Sequence, residues 1–301
     1  MRVTLGINNC FAVKRWPLAD EWAQIVAHRL GLDVVQHSLD LTDLGGDPES
    51  DAAEMRRACA AHGLRMHSVF TGLMAYSTSL MLAPDPVQRQ GGEAYWADAI
   101  RFGAALGAVS VGGHVGSLSR RDADRTERRD ALLAELQQRL ARLRGLAHDH
   151  GLAALLIENM ACDREPSRMS DFDDLLADAS DGQAAITLCL DVGHQCVPGT
   201  SGDEADPYAW LATLGRRASV VHLQQTDAGG DHHWPFTAAY NEQGRIRAPR
   251  VLQALHESGA DEITLILEVI PAFEADDRRV LGDLQESVTY WQQAITDFDP
   301  T

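Results

Sequence analysis

The segment Gly151-Leu152-Ala153-Ala154-Leu155-Leu156-Ile157-Glu158-Asn159-Met160 opens on a glycine, runs through apolar residues and ends on an ionisable side chain. Such a glycine caps the helix before it, the apolar run has strand length, and the glutamate stands where that strand gives way to a loop. Outward from this stretch, short apolar runs alternate with longer amphipathic segments along the whole chain, the pattern of βα units around a parallel sheet. Eight strands are expected: Val3 to Asn8, Leu32 to Ser38, Leu64 to Thr71, Ala108 to Val115, Leu152 to Met160, Ile186 to His194, Ser219 to Thr226 and Glu262 to Ile270. Helical patterns cover 19–30, 48–62, 88–106, 122–150, 170–180, 206–215, 248–258 and 277–298, and Gly31, Gly63, Gly107, Gly151 and Gly259 stand where helix C-caps belong. Eight successive units close into a (β/α)8 barrel, and with no linker or low-complexity tract residues 1–301 read as one domain. The competing fold is an open doubly wound sheet, which would carry G-x-G-x-x-G after its first strand. That turn reads Gly6-Ile7-Asn8-Asn9-Cys10-Phe11, Gly112-Gly113-His114-Val115-Gly116 has the wrong spacing, and a Walker lysine motif is absent.

Composition narrows the function classes. Hydrophobic residues make up 45% and charged residues 23%, enough apolar material for a large core. The formal charge of -18 repels phosphate backbones and anionic membranes, so neither nucleic acid nor membrane is an expected partner. The five cysteines (10, 59, 162, 189, 196) form no C-x-x-C pair or zinc framework, and the first residues lack the segments of a secretory leader. Free thiols in a cytoplasmic protein are expected. The chain has a single lysine, Lys14, all its other basic residues apart from histidine being arginine.

The active site of such a barrel is built at the C-terminal ends of its strands. Four consecutive strands end in Ile157-Glu158-Asn159, Leu190-Asp191-Val192-Gly193-His194, Val221-His222-Leu223-Gln224 and Leu267-Glu268-Val269. Three buried carboxylates converging on one mouth would repel one another strongly unless a positive charge sits between them. One divalent cation held by Glu158, Asp191, His222 and Glu268 resolves that conflict. The oxygen-rich set with one imidazole suits Mn²⁺ first, with Mg²⁺ or Co²⁺ as alternatives. Any one of these residues alone would more often be a salt-bridge partner or a satisfied core histidine; the series of four carries the argument.

With that quartet in view, the chain resembles the xylose isomerase-like barrel superfamily of sugar isomerases and epimerases, particularly ketose 3-epimerases and related sugar-phosphate epimerases. The resemblance implies that Glu158, Asp191, His222 and Glu268 bind the metal. It also implies that His194, in the D-x-x-H element Asp191-Val192-Gly193-His194, contacts a substrate oxygen. Ketose epimerases of this family often carry an arginine six residues after the ligand histidine, where this chain has Ala228, so substrate is oriented differently. Phe11-Ala12-Val13-Lys14-Arg15-Trp16-Pro17, Gln224-Gln225-Thr226-Asp227 and Asp231-His232-His233-Trp234-Pro235-Phe236 look most like tetrulose-phosphate 3-epimerases.

The expected chemistry is proton transfer at C3 of a ketose or ketose phosphate through a metal-stabilised enediolate, with Glu158 and Glu268 as the acid-base pair on opposite faces. Lys14, His67, His114, His194, Gln224, His232, His233 and Trp234 are the expected substrate contacts, either His232 or His233 reaching the metal from its loop. His37 is a further candidate from strand two, Trp16, Phe70 and Phe236 are candidate pocket walls, and Arg15, Arg164 and Arg168 compete with Lys14 for an anionic group. The expected partners are a small sugar or sugar phosphate and, in a homo-oligomer, further copies of the chain. An aldose-ketose isomerase or an inosose-type dehydratase could use the same metal site. A multi-zinc DNA-repair nuclease would need a basic face that the charge argues against, and a non-catalytic sugar-binding module would have no use for two opposed glutamates.

Overall fold

A computed structural model describes residues 1–299. Strands β1 (Arg2–Asn8), β2 (Val34–Ser38), β3 (Arg65–Phe70), β4 (Ser110–Gly113), β5 (Ala154–Glu158), β6 (Ala185–Asp191), β7 (Ala218–Leu223) and β8 (Glu262–Leu267) pair in parallel and in chain order, and β8 closes onto β1. The result is the (β/α)8 TIM barrel expected. The strands are shorter than the apolar runs because the last residues of several runs leave the ladder. Asn159, His194, Gln224 and Glu268 thus fall just beyond strand ends, at the mouth.

The helices are α1 (Ala19–Gln24, continued by a π-turn at Ile25–Arg29), α2 (Pro48–His62), α3 (Pro86–Leu106), α4 (Thr126–Asp149), α5 (Asp171–Leu175), α6 (Pro207–Leu214), α7 (Ala248–Glu257) and α8 (Asp277–Asp297). Three of them start with an aspartate whose side chain accepts from the first turn and a proline whose missing N–H costs nothing there: Asp47-Pro48, Asp85-Pro86 and Asp206-Pro207. The helix expected over 170–180 shrinks to five residues. From Ala177 the backbone instead exchanges hydrogen bonds of 3.0 and 2.7 Å with Ile186 on the incoming β6.

Apolar side chains form two layers. Between strands and helices, Trp22, Trp96, Trp210 and Trp291 are fully buried. Inside the barrel, Val34, Phe70, Leu156, Cys189, Val220 and Ile266 fill the space below the mouth. A side chain at Gly112 has no room, since its Cβ would lie 2.4 Å from the Cβ of Leu156. The inner layer is the floor on which the polar site rests. Among the described residues no helix is long and apolar enough to cross a membrane.

Candidate functional site

The strand-end quartet converges. Ligand atoms of Glu158, Asp191, His222 and Glu268 all lie within 4.8 Å of one another, and the four residues are buried. His222 is central: its Nδ1 stands 3.1 Å from Glu158 Oε1 and 3.0 Å from Glu268 Oε2. On the other side of the ring, Nε2–H donates to Gln36 Oε1 at 2.7 Å, which fixes the tautomer that leaves Nδ1 free to bind a cation. Gln36 is held in turn by Asn8 Nδ2 at 2.8 Å and by its own donation to Ser68 Oγ at 3.0 Å, while Asn8 Nδ2 also reaches Glu268 Oε1 at 3.2 Å. Phe70 packs beneath the imidazole at 4.6 Å between ring centroids.

Whether these residues suit a metal is decided by Asp191. Its Oδ1 accepts from Gly193 N at 2.6 Å and Gln224 Nε2 at 3.1 Å, but its buried Oδ2 has no partner among the described residues. Burial pushes this carboxyl up to about 6 against the pull of His194 and His233. An unpaired buried carboxylate oxygen is costly, and a cation at the point shared by the quartet removes the cost. Burial opposes a charge on His222 too, yet Cys189, Glu268 and Glu158 raise it well above the ordinary imidazole range. Negative charge thus gathers on the point that the four ligand atoms share, and the donor set fits a divalent ion there.

Beside the quartet stands a second polar group. His194 Nε2 lies 3.3 Å from Asp231 Oδ2, His233 Nε2 lies 3.2 Å from Asp231 Oδ1, and Gln224 Nε2 donates to Asp231 Oδ1 at 2.6 Å. Burial would lower both imidazoles, but Asp191 and Asp231 raise His194 well above its usual range and Asp231 brings His233 up to about 9. Two imidazoles thus flank one carboxylate beside the metal point, a set whose N–H groups suit the oxygens of a substrate. His194 Nδ1–H donates to Asn159 O at 2.6 Å, and Asn159 pairs with the Asp191 backbone through both side-chain atoms.

Other expected contacts fall elsewhere. His67 lies at the opposite end of the barrel, lining a cavity with Arg216, Arg217 and Glu262, because it sits near the start of β3. His37 faces outward onto Trp22 and Phe102 and bonds Asn9 and Thr42, since side chains alternate and Gln36 takes the inward position. His114 reaches the mouth only from behind, stacked on Tyr76 at 5.0 Å. His232 and Trp234 stack at 4.1 Å on the rim and, with His233, line a cavity of about 440 Å³ beside Arg279. Lys14 is exposed at the rim with Nζ 4.1 Å above the Phe273 ring. Arg15, Arg164 and Arg168 are engaged structurally, by the carbonyls of Ala272, Phe273 and Ala275 with Asp277, by Ser117 and Leu118, and by Asp163 respectively. Trp16 packs at a tilt against Phe11, and Phe236 is core against Tyr290 and Trp291. Four neighbours of the quartet are not among the residues expected at the site: Asn8, Gln36, Tyr76 and Asp231, the last quoted only within its motif. A polar residue inside Val34-Val35-Gln36 was the available signal for one of them; Tyr76 had none.

Residues 25–286 match the family model described as xylose isomerase-like TIM barrel. The chain belongs to this family. A relative, D-erythrulose 1-phosphate 3-epimerase of Brucella abortus (strain 2308), is 29% identical over 98% of this chain and 97% of its own length. Among solved structures, a candidate xylose isomerase from Rhodospirillum rubrum superposes with a TM-score of 0.87 at 31% identity, over 97% of this chain and 99% of that one. D-psicose 3-epimerase from Clostridium cellulolyticum H10, at 15% identity over 97% of this chain and 99% of that one, shares the fold with a TM-score of 0.71. This xylose isomerase-like barrel is an enzyme of the epimerase and isomerase class.

Proposed function

We propose that the chain is a divalent-metal-dependent 3-epimerase of a short ketose phosphate. The observation that carries this reading is the placing of two glutamates, from strands three apart around the barrel, on either side of His222 Nδ1 at 3.1 and 3.0 Å. When bound, a divalent ion supplies positive charge that stabilises the negative charge developing on the substrate carbonyl oxygen. The chain's own residues do the rest. One glutamate takes the C3 proton as the C3–H electron pair moves into the C2–C3 bond, and the other returns a proton to the opposite face. His194 and His233 present N–H donors from the adjoining wall, and Gln36 with Asn8 holds His222 and Glu268 in place. Likeness to the Brucella enzyme along nearly the whole chain favours a tetrulose 1-phosphate as substrate.

The deciding experiment is incubation of D-erythrulose 1-phosphate with the protein and Mn²⁺ in D2O, followed by NMR. Deuterium is expected at C3 of both substrate and product. A parallel incubation with unphosphorylated erythrulose, whose C1 hydroxyl is free, tests the rival: label at C1 of the ketose or at C2 of an aldose product would establish an aldose-ketose isomerase instead, and loss of a water mass would establish a dehydratase.

Lys14 is the residue proposed to meet the phosphate at the rim. Lys14→Ala is expected to raise KM for the phosphorylated ketose roughly tenfold, the loss of one charge-assisted hydrogen bond, with little change for the unphosphorylated sugar. Equal effects on the two substrates would remove the phosphate assignment and leave the reaction untouched.

A further inference from the structure

Glu158 has two oxygens with different surroundings. Oε1 faces His222 Nδ1 at 3.1 Å, on the side where a cation would sit. Oε2 points the other way and accepts a hydrogen bond from the Tyr76 phenol at 2.8 Å. If Oε1 serves the cation, Oε2 is the oxygen left to handle a proton, and Tyr76 is the side chain the structure puts against it. Glu268 has no such partner: its Oε1 is held by an amide, Asn8 Nδ2, at 3.2 Å. The two proposed proton-transfer residues are therefore supported by different chemistry.

Tyr76 arrives there by design of its loop. After β3, Gly72 adopts φ 71°, and a Cβ at that position would lie 2.7 Å from the Asp40 carboxylate. Only a glycine lets the backbone come so close. Asp40 then accepts from Leu73 N at 2.6 Å and Met74 N at 2.9 Å, pinning the single helical turn Gly72–Ala75 to the loop after β2. Tyr76 follows directly, and its ring lies flat on His114 at 5.0 Å and 9°. His114 is itself backed by Glu165, whose Oε2 is 3.4 Å from Nδ1. The residue remains 41% exposed although its hydroxyl end meets a carboxylate that is 1% exposed.

We propose that Tyr76 is a positioning residue for one face of the reaction: its hydroxyl fixes the proton-handling oxygen of Glu158, and its ring covers that oxygen from water. The proposal rests on the epimerase reading, in which Glu158 and Glu268 serve opposite faces of C3. The hydroxyl orients the oxygen that takes the C3 proton of one epimer, and the other epimer loses its proton to Glu268, which Tyr76 does not touch. Removing the hydroxyl should slow proton transfer at one face and spare the other.

The test compares wild type, Tyr76→Phe and Asp40→Asn with D-erythrulose 1-phosphate and its C3 epimer, each carrying hydrogen or deuterium at C3. Tyr76→Phe keeps the ring and its stack on His114. It is expected to lower kcat about tenfold, as loss of a hydrogen bond to a charged group does, with KM changed little. The primary deuterium isotope effect should grow with only one of the two labelled epimers. Asp40→Asn, which loosens the loop without touching Glu158, should give a smaller change in the same direction. Rates are compared at Mn²⁺ concentrations that saturate each metal-free protein by calorimetry, since loss of a hydrogen bond to a ligand carboxylate also weakens metal binding. If wild type exchanges C3 hydrogen and Tyr76→Phe retains full kcat, or raises the isotope effect with both labelled epimers, the positioning role is wrong and the epimerase reading stands. If wild type exchanges neither epimer, the epimerase reading falls and this proposal falls with it.

Discussion

Glu158→Gln and Glu268→Gln are each expected to depress turnover by roughly 10²- to 10⁴-fold, the range for loss of a general acid-base group. The substitution is nearly isosteric and keeps one oxygen. At Glu158 that oxygen can still face the point shared with His222 Nδ1, 3.1 Å from the native Oε1, and at Glu268 it can still accept from Asn8, now at 3.2 Å. What is lost is the capacity to take a proton from carbon. Because the two residues serve opposite faces, the two variants should differ in which epimer still exchanges its C3 hydrogen with solvent: each should retain washout from the epimer that the surviving glutamate faces. The measurement is NMR exchange in D2O from each epimer separately, beside steady-state kcat. Near-native turnover in either variant would show that residue to be a metal ligand without a proton-transfer role, and the two-face mechanism would then need another base.

The second large effect concerns the cage itself. Exhaustive chelation is expected to reduce turnover to background, with recovery on adding Mn²⁺, and Asp191→Ala should not recover. Asp191 is the informative ligand because its Oδ2 is buried and lacks any partner among the described residues, whereas Oδ1 is already committed to Gly193 and Gln224. Loss of a ligand removes both a donor and a negative charge, so affinity should drop at least as far as the roughly 10- to 100-fold seen for mutation of residues supporting a metal site. Thermal unfolding supplies a readout independent of catalysis: Mn²⁺ should raise the Tm of wild type and leave that of Asp191→Ala unmoved. Metal affinity should also depend on pH. In the metal-free cage His222, despite its burial, is raised well above the usual imidazole range by Cys189, Glu268 and Glu158, so its Nδ1 carries a proton near neutrality. A cation must displace that proton. Raising the pH removes the competitor, so affinity should climb through the neutral range, roughly tenfold per unit while one proton is released. Titration calorimetry in buffers of different ionisation enthalpy would count the proton, and an affinity independent of pH would exclude His222 Nδ1 as the binding atom.

The architecture was legible in the sequence because its signal is repetitive. Apolar runs of strand length separated by glycine-capped helical patterns occur eight times, and parallel strands closing in order must place all their C-terminal ends at one mouth. Glu158, Asp191, His222 and Glu268 each end such a run, so their convergence follows from chain order alone. Side-chain direction does not. Gln36 and His37 are adjacent polar residues in one strand, and the alternation that puts Val34 inside the barrel and Val35 in the outer core turns Gln36 toward His222 and sends His37 outward. His67 resembles a mouth residue in sequence, but its place near the start of β3 puts it at the far end of the barrel. The loops were still less readable. Tyr76 and Glu158 are 82 positions apart, and their contact depends on a turn that Asp40 pins from a third loop. Local sequence determines where a strand begins and ends through hydrophobic periodicity, which is a short-range property. Which loop side chains meet over the site is settled only when the barrel closes, because those contacts join segments whose sequences carry no information about one another.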